Sequence, residues 1–197
     1  MKDKKDILEN QYKIAIDARD KLNDNYHKWM TFYYVANGAI LVAITTLFSK
    51  PGFDKGIFLL SLIGVLICMI WNLSCKGYCY WSNSWINLII ELEKKVFGEE
   101  NLVYGAFSKE VAENKNPSWF PLQTNNISTP KLTLIFSFVS FLCWTVYSVY
   151  SFNIQFQEKS ILSRTIISSI IVLVILFSYL ILPRFVKSRK IGQHTLK

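Results

Sequence analysis

The chain has 197 residues, of which 51% are hydrophobic and 15% aromatic, and its formal net charge is +8. Its 22 basic and 14 acidic residues all lie outside four uncharged stretches of about 18 to 26 residues each. Uncharged stretches of this length exclude a soluble globular domain, a collagen-like chain and a disordered chain.

The four uncharged stretches predict four transmembrane helices. A helix rises about 1.5 Å per residue, so about 20 residues cross a hydrocarbon core of roughly 30 Å. The predicted spans are Met30–Ser49, Gly56–Cys75, Leu132 up to Glu158, and Thr165–Pro183. The predicted fold class is therefore an all-α integral membrane protein with cytoplasmic helical extensions.

The distribution of Lys and Arg predicts the orientation of the chain. Seven precede the first span, six lie between the second and third spans and five follow the fourth, whereas each of the other two connections has two. Basic residues concentrate on the cytoplasmic side, which predicts a multi-pass inner-membrane protein with both termini and the middle segment in the cytoplasm. The charged first 28 residues also predict that no signal peptide is present.

This orientation divides the chain into five segments. In chain order they are a cytoplasmic amphipathic helix (residues 1–29), a transmembrane hairpin with spans one and two (30–75), a cytoplasmic helical segment and loop (76–130), a transmembrane hairpin with spans three and four (131–185) and a basic cytoplasmic tail (186–197). Because acidic residues are interleaved with the basic ones, the positive charge reflects membrane topology, and no nucleic-acid partner is predicted.

The first segment has a near-heptad stripe of apolar residues at Leu8, Ala15, Leu22 and Trp29 on an otherwise charged helix. Pairs such as Glu9 and Lys13 place the acid four residues before the base, which stabilises an exposed helix face. The stripe can pack on the middle segment of the same or a neighbouring subunit, or it can lie on the lipid surface. The balanced acidic content favours packing, because helices that lie on lipid have a polar face rich in Lys and Arg.

Asn37 is the strongly polar side chain near the middle of the first span, and Asn72 lies at the inner end of the second. An amide in hydrocarbon needs a hydrogen-bonding partner. Each asparagine therefore has two readings: an inter-helix hydrogen bond that holds the bundle, or the lining of a water-filled path.

The helix of the second span is predicted to continue, from about Ile57 to Phe97, and to stop at Gly98. Beyond the membrane its apolar and aromatic residues recur every three or four positions, with Glu91 and Glu93 among the residues that mark its wet side. The stripe predicts packing against cytoplasmic helices or between subunits, and a nucleotide-stacking platform is the alternative. The residues predicted for oligomer or cytoplasmic packing are Leu8, Leu22, Trp81, Trp85 and Leu92.

The middle segment is predicted to continue with one short helix, Ser108–Asn114, and then an irregular loop. Spans three and four have serines that allow close helix packing, and an aromatic belt of Trp144, Tyr147 and Tyr150 is predicted near the outer side. The residues predicted as pore-lining or inter-helix polar groups are Asn37, Asn72, Ser137, Ser140 and Ser168. The basic cluster predicted to bind lipid head groups is Arg184, Lys187, Arg189 and Lys190.

The sequence lacks the patterns of catalysis. Neither His27 nor His194 has a nucleophile or a ligand at motif spacing, and Cys75 and Cys79 have no further ligand nearby, so no catalytic residue, metal or cofactor is predicted. No ionisable side chain lies inside a span. Secondary transport is therefore not favoured, because ion-coupled transporters usually need such a group within the membrane. The chain is therefore predicted not to be an enzyme.

The order of these segments resembles the RipA-type family of prokaryotic four-span inner-membrane proteins, which are described as octameric. The motifs that carry the resemblance are Trp71-Asn72, Trp85-Ile86, Ile90-Glu91-Leu92-Glu93 and Ser128-Thr129-Pro130-Lys131-Leu132. The resemblance covers most of the chain, although Tyr80, Trp81 and Trp85 stand where more polar residues are expected. The first half also resembles the two-span SLATT effector domains of nucleotide-signalled bacterial defence systems. Neither resemblance assigns a catalytic residue to this sequence.

Together these features predict a non-enzymatic homo-oligomer of the inner membrane, an octamer by resemblance, that acts as a membrane-perturbing or pore-type effector in defence or stress response. Its predicted partners are the lipid bilayer, further copies of itself, and a cytoplasmic protein or small signal that controls it. The alternative is a scaffold or partner-recruiting oligomer that does not conduct. If Asn37 and the serines face a shared axis, the pore is favoured; if they face the bundle of one subunit, the scaffold is favoured.

Overall fold

The computed structural model describes residues 2–48, 54–99, 102–105 and 129–186. Within these ranges it contains no strand and four long helices: α1 (Lys2–Phe48), α2 (Asp54–Phe97), α3 (Thr129–Gln155) and α4 (Ile161–Val186). Each helix is long and apolar enough to cross a membrane. The predicted all-α fold class with four spanning helices is confirmed, whereas the predicted short helix at Ser108–Asn114 lies outside the described residues.

Helix α2 continues well past the predicted second span. The sequence predicts one helix from about Ile57 to Phe97, and α2 begins at Asp54 and ends at Phe97. The next residue, Gly98, has a φ of +81° and donates its backbone N–H to the Lys94 carbonyl at 3.1 Å. Glycine adopts this left-handed conformation without steric cost, so the predicted stop at Gly98 is confirmed with its physical reason.

Local signals also explain where α3 and α4 begin. Pro130 is the second residue of α3, a position in the first turn where the missing backbone N–H costs no helical hydrogen bond. Ser160 directly precedes α4, and its Oγ accepts the backbone N–H of Ser163 at 3.3 Å. This serine caps the helix, since its side chain satisfies an N–H group that has no partner within the first turn.

The chain divides into two compact units. Unit 1 comprises Met1–Val35 and Ser74–Ser137, and unit 2 comprises Ala36–Leu73 and Phe138–Lys197. Unit 1 contains the charged parts of α1 and α2, including the predicted ion pair in which Lys13 Nζ lies 3.1 Å from Glu9 Oε1. Unit 2 contains parts of all four helices.

The predicted heptad stripe of α1 packs only in part. Ala15 is buried and Leu8 is half-buried, whereas Trp29 is 57% exposed. The buried side of α1 passes through Tyr26 and Met30 instead. An α-helix has 3.6 residues per turn, so a seven-residue repeat drifts by about 20° per heptad and rotates Trp29 away from the packed face.

Helices α2 and α3 approach closely in unit 2 at Gly64. A Cβ atom at this position would lie between 2.5 and 2.8 Å from three atoms of the Trp144 indole ring. Trp144 is 7% exposed, so its ring packs inside the chain, whereas the depth predicted for Trp144, Tyr147 and Tyr150 near the outer side stays a prediction. The indole is buried because its ring fills the space over Gly64 and its N–H has a partner inside unit 2.

Candidate functional site

Asn37 joins three helices of unit 2. Its Oδ1 on α1 accepts a hydrogen bond from Trp144 Nε1 on α3 at 2.8 Å and one from Cys68 Sγ on α2 at 3.1 Å. Hydrocarbon offers no water to an amide oxygen, so these donors take the place of solvent. The asparagine that the sequence singled out thus makes inter-helix contacts within one chain.

Asn72 and Ser168 take part in comparable contacts that join α4 to other helices in unit 2. Asn72 is 1% exposed, and its Oδ1 accepts a hydrogen bond from the Tyr179 hydroxyl at 2.7 Å. Ser168 is buried, and its Oγ accepts one from Asn153 Nδ2 at 3.3 Å. Each pair joins α4 to a different helix, α2 in the first case and α3 in the second.

The serines of the spans contribute further contacts. Ser61 Oγ lies 3.4 Å from Ser151 Oγ inside unit 2, a pair that the sequence analysis missed although a serine within an apolar span is a usable signal. In unit 1, the buried Ser137 donates its hydroxyl to the Leu134 carbonyl at 2.8 Å, while Ser140 of unit 2 is half-buried. Within unit 2, Asn37, Asn72 and Ser168 thus each bond to a different partner side chain.

Unit 1 has its own small hydrophobic core. Three buried residues form it, Ala15 from α1 and Ile89 and Leu92 from α2. The partly buried residues that pack against it are Leu8, Tyr12, Ile16, Trp85 and Tyr104. Three of the five residues predicted for oligomer or cytoplasmic packing, Leu8, Trp85 and Leu92, therefore pack within one chain.

Beside this core, the carboxylate of Glu93 binds the chain segment that follows α2. Its Oε1 accepts the backbone N–H groups of Val103 at 2.9 Å and Tyr104 at 3.2 Å, and its Oε2 accepts that of Gly105 at 3.2 Å. The Tyr12 hydroxyl of α1 donates to Oε1 at 3.4 Å. We call these residues the Glu93 clamp.

The burial of Glu93 corrects the prediction that it lies on the wet side of the helix. The side chain is 1% exposed, and four donors replace the water that a buried carboxylate loses. Its neighbour Glu91 is exposed, as predicted for the wet side of the helix, and pairs with Lys95 at 2.6 Å. Sequence spacing alone does not show which of these two carboxylates is buried, because the backbone donors to Glu93 come from residues 103–105, about ten positions later in the chain.

A groove between α1 and α2 in unit 1 has a volume of about 410 Å³. The residues that line it are Leu22, Asn25, Tyr26, Trp29, Met30, Tyr33, Ser74, Gly77, Tyr78 and Trp81. Tyr26 stacks on Tyr78 with the ring centroids 3.8 Å apart, and burial raises the pKa of Tyr26 to about 12 although Thr133 acts in the opposite direction. Leu22 and Trp81, the other two predicted packing residues, lie in this groove.

Of the basic residues predicted to bind lipid head groups, Arg184 is exposed, and Lys187, Arg189 and Lys190 lie outside the described residues.

Over the described part of the chain, no group of three or more His, Cys, Asp or Glu side chains is arranged to hold a metal ion. In unit 2, the described site residues thus lie at contacts between helices. In unit 1, they lie in a small core, in the Glu93 clamp and in a groove.

Comparison with known proteins agrees with this architecture. Residues 9–154, about three quarters of the chain, match the family described as the octameric membrane protein family (8xMP). No curated protein and no solved structure matches the chain. The match covers most of α1, all of α2 and nearly all of α3, and it includes the Glu93 clamp and the groove. The chain therefore belongs to the octameric membrane protein family and is a multi-pass membrane protein that self-associates.

Proposed function

We propose that the protein is a non-catalytic scaffold, an octamer of the inner membrane that provides a binding platform and does not conduct ions. The observation that carries this proposal is the orientation of Asn37, whose amide oxygen accepts two hydrogen bonds within one chain. The buried Asn72 and Ser168 also bond inside unit 2. A water-filled path needs polar groups that face it, whereas these groups support the bundle of a single subunit.

The large exposed side chains of unit 2 support the membrane-embedded oligomer of this proposal, because they match a lipid or subunit environment better than water. On α4, the exposed positions include Leu173, Val174, Phe177 and Leu180. Apolar faces of this kind pack against lipid or against another apolar helix.

For self-association we propose a face of α2 in unit 1. From Gly77 to Ile90 the chain has no charged residue, and Tyr80, Ser84 and Asn87 lie on one exposed side of the helix. The cores of protein interfaces are depleted in Lys, Glu and Asp and enriched in aromatic residues. In a family that self-associates, a second copy of the chain is the occupant that fits this surface.

The α2 face can be tested with Leu88→Lys. Leu88 is 39% exposed beside this face, so we expect the Leu88→Lys protein to fold. The new lysine would place a charge in the interface, where that charge must lose its hydration. We expect the octamer to dissociate at micromolar concentration, measured as particle mass by light scattering in detergent. Asn10→Lys, an exposed position on the charged part of α1, is the matched control and should leave the mass unchanged. Dissociation in both variants or in neither would reject the α2 face.

The scaffold itself is tested by ion flux in liposomes that contain the purified full-length oligomer. We expect flux no higher than in protein-free liposomes, and Asn37→Leu should lower the unfolding free energy by about 1 to 2 kcal/mol without changing flux. A pore-type effector would instead give flux in the wild type that Asn37→Leu abolishes. That result would overturn the scaffold and favour the pore that the sequence analysis preferred.

A further inference from the structure

The walls of the unit 1 groove are preformed and apolar. Three of their polar side chains have partners within the chain: Tyr33 Oη lies 2.9 Å from Ser74 Oγ, and Tyr78 Oη donates to Asn23 Oδ1 at 2.8 Å. With these groups paired, the ring faces and methylene groups of the walls remain for a ligand. A volume of about 410 Å³ falls within the range of sites that enclose small ligands, roughly 300 to 1,000 Å³.

The groove extends from the predicted spans into the segments that follow them. Met30, Tyr33 and Ser74 lie within the predicted spans, whereas Leu22 and Trp81 lie outside them. Aromatic residues concentrate at this depth in membrane proteins, where one end of a ligand is in hydrocarbon and the other is near water. Beyond the span, the apolar lining would face water if nothing covered it.

The groove is continuous with a surface suited to lipid. Trp29 is 57% exposed at its edge and makes an edge-to-face contact with Phe32, which is 58% exposed on the predicted first span, at a centroid distance of 6.2 Å. A hydrocarbon chain can therefore enter from the bilayer without crossing a polar surface. None of the ten residues that line the groove carries a formal charge, so the lining offers no cationic partner for a phosphate and does not favour the nucleotide-stacking alternative.

We propose that this groove binds one hydrocarbon chain of a membrane lipid. The chain leaves the bilayer between Met30 and Ser74 and covers the apolar surface as far as Leu22 and Trp81. Tyr26, stacked on Tyr78, forms the rigid floor. The site recognises the acyl chain and not the head group, because its lining is uncharged.

Gly77 provides a direct test. A Cβ atom at this groove position meets no atom within 4 Å, so a side chain can begin there without a clash and we expect Gly77→Leu to fill part of the groove. Gly38→Leu is the matched control, because Gly38 is also a helical glycine whose Cβ would meet nothing within 4 Å, but it does not line the groove. The probes are dioleoyl phosphatidylcholine, dioleoyl phosphatidylglycerol and dioctanoyl phosphatidylcholine, added to the delipidated full-length oligomer.

Native mass spectrometry then counts the lipids retained by each subunit. We expect the wild type and Gly38→Leu to retain about one dioleoyl lipid with either head group, at least ten times more than the eight-carbon lipid, and Gly77→Leu to retain none. Trp81→Ala removes one wall of the groove at a half-exposed position and should also release the lipid. This variant tests the proposal if Gly77→Leu does not fold. Retention that follows the head group, or that survives in both groove variants, would overturn the proposal. Loss of subunits from the oligomer in Gly77→Leu, with lipid retained, would show that a second copy occupies the groove.

Discussion

Replacing Glu93 with alanine is expected to lower the free energy of unfolding by about 2 to 4 kcal/mol, because a buried carboxylate that accepts four hydrogen bonds is lost. Three backbone N–H groups, at Val103, Tyr104 and Gly105, bond to this one carboxylate. Without it, the described residues 102–105 lose these hydrogen bonds to α2. The measurement is thermal unfolding of the purified protein in detergent, followed by the helical circular dichroism signal, together with protease cleavage near residues 102–105.

The control for this prediction is Glu91→Ala, two residues earlier on the same helix. Glu91 is exposed and contacts Lys95 in an ordinary surface pair, so its loss should leave both the unfolding midpoint and the cleavage rate nearly unchanged. Glu93→Gln should fall between the two, because it keeps one acceptor oxygen but turns an NH₂ group toward a backbone donor. Equal effects of Glu91→Ala and Glu93→Ala would show that the clamp does not stabilise unit 1.

Gly64→Leu is the second change with a large expected effect, a loss of about 3 kcal/mol or more in unit 2. Even the first side-chain atom would overlap the Trp144 indole, with distances of 2.5 to 2.8 Å to three ring atoms. The ring has to move, and its movement breaks the hydrogen bond from Trp144 Nε1 to Asn37 Oδ1. The overpacking penalty and the lost hydrogen bond therefore act together.

The measurement for Gly64→Leu is the unfolding midpoint together with tryptophan emission, which should shift as the Trp144 indole leaves its buried position. Gly38→Leu is again the size-matched control and should unfold like the wild type, because no atom lies within 4 Å of its added Cβ. A Gly64→Leu protein as stable as the control would mean that α2 and α3 do not pack through this glycine.

Much of the fold could be predicted because hydrophobic length and helix-end signals are local. The four apolar stretches predict all four long helices, and a 3–4 spacing with Gly98 at its end predicts that α2 continues to Phe97. The position of Asn37 in an apolar span also predicts that it needs a partner, and it has two. Each of these inferences depends only on residues within one helix.

The remaining features depend on residues far apart in the chain. Glu93 resembles any exposed carboxylate of a charged helix end until the turn at residues 103–105 supplies its donors. Trp144 resembles an interfacial anchor until the missing side chain at Gly64, 80 positions earlier, makes room for its ring. Pairing of this kind is decided by tertiary packing, which the periodicity of a single helix does not encode.

The hydrogen bonds of Asn37 and Asn72 also have a consequence for how the oligomer is made. Each amide finds its donors within its own chain, so a newly inserted subunit can satisfy them before it meets another copy. Biogenesis can then proceed in two stages, with each bundle closing first and finished subunits associating later through diffusion in the membrane. Under this order, we expect the expression level to set the fraction of assembled protein.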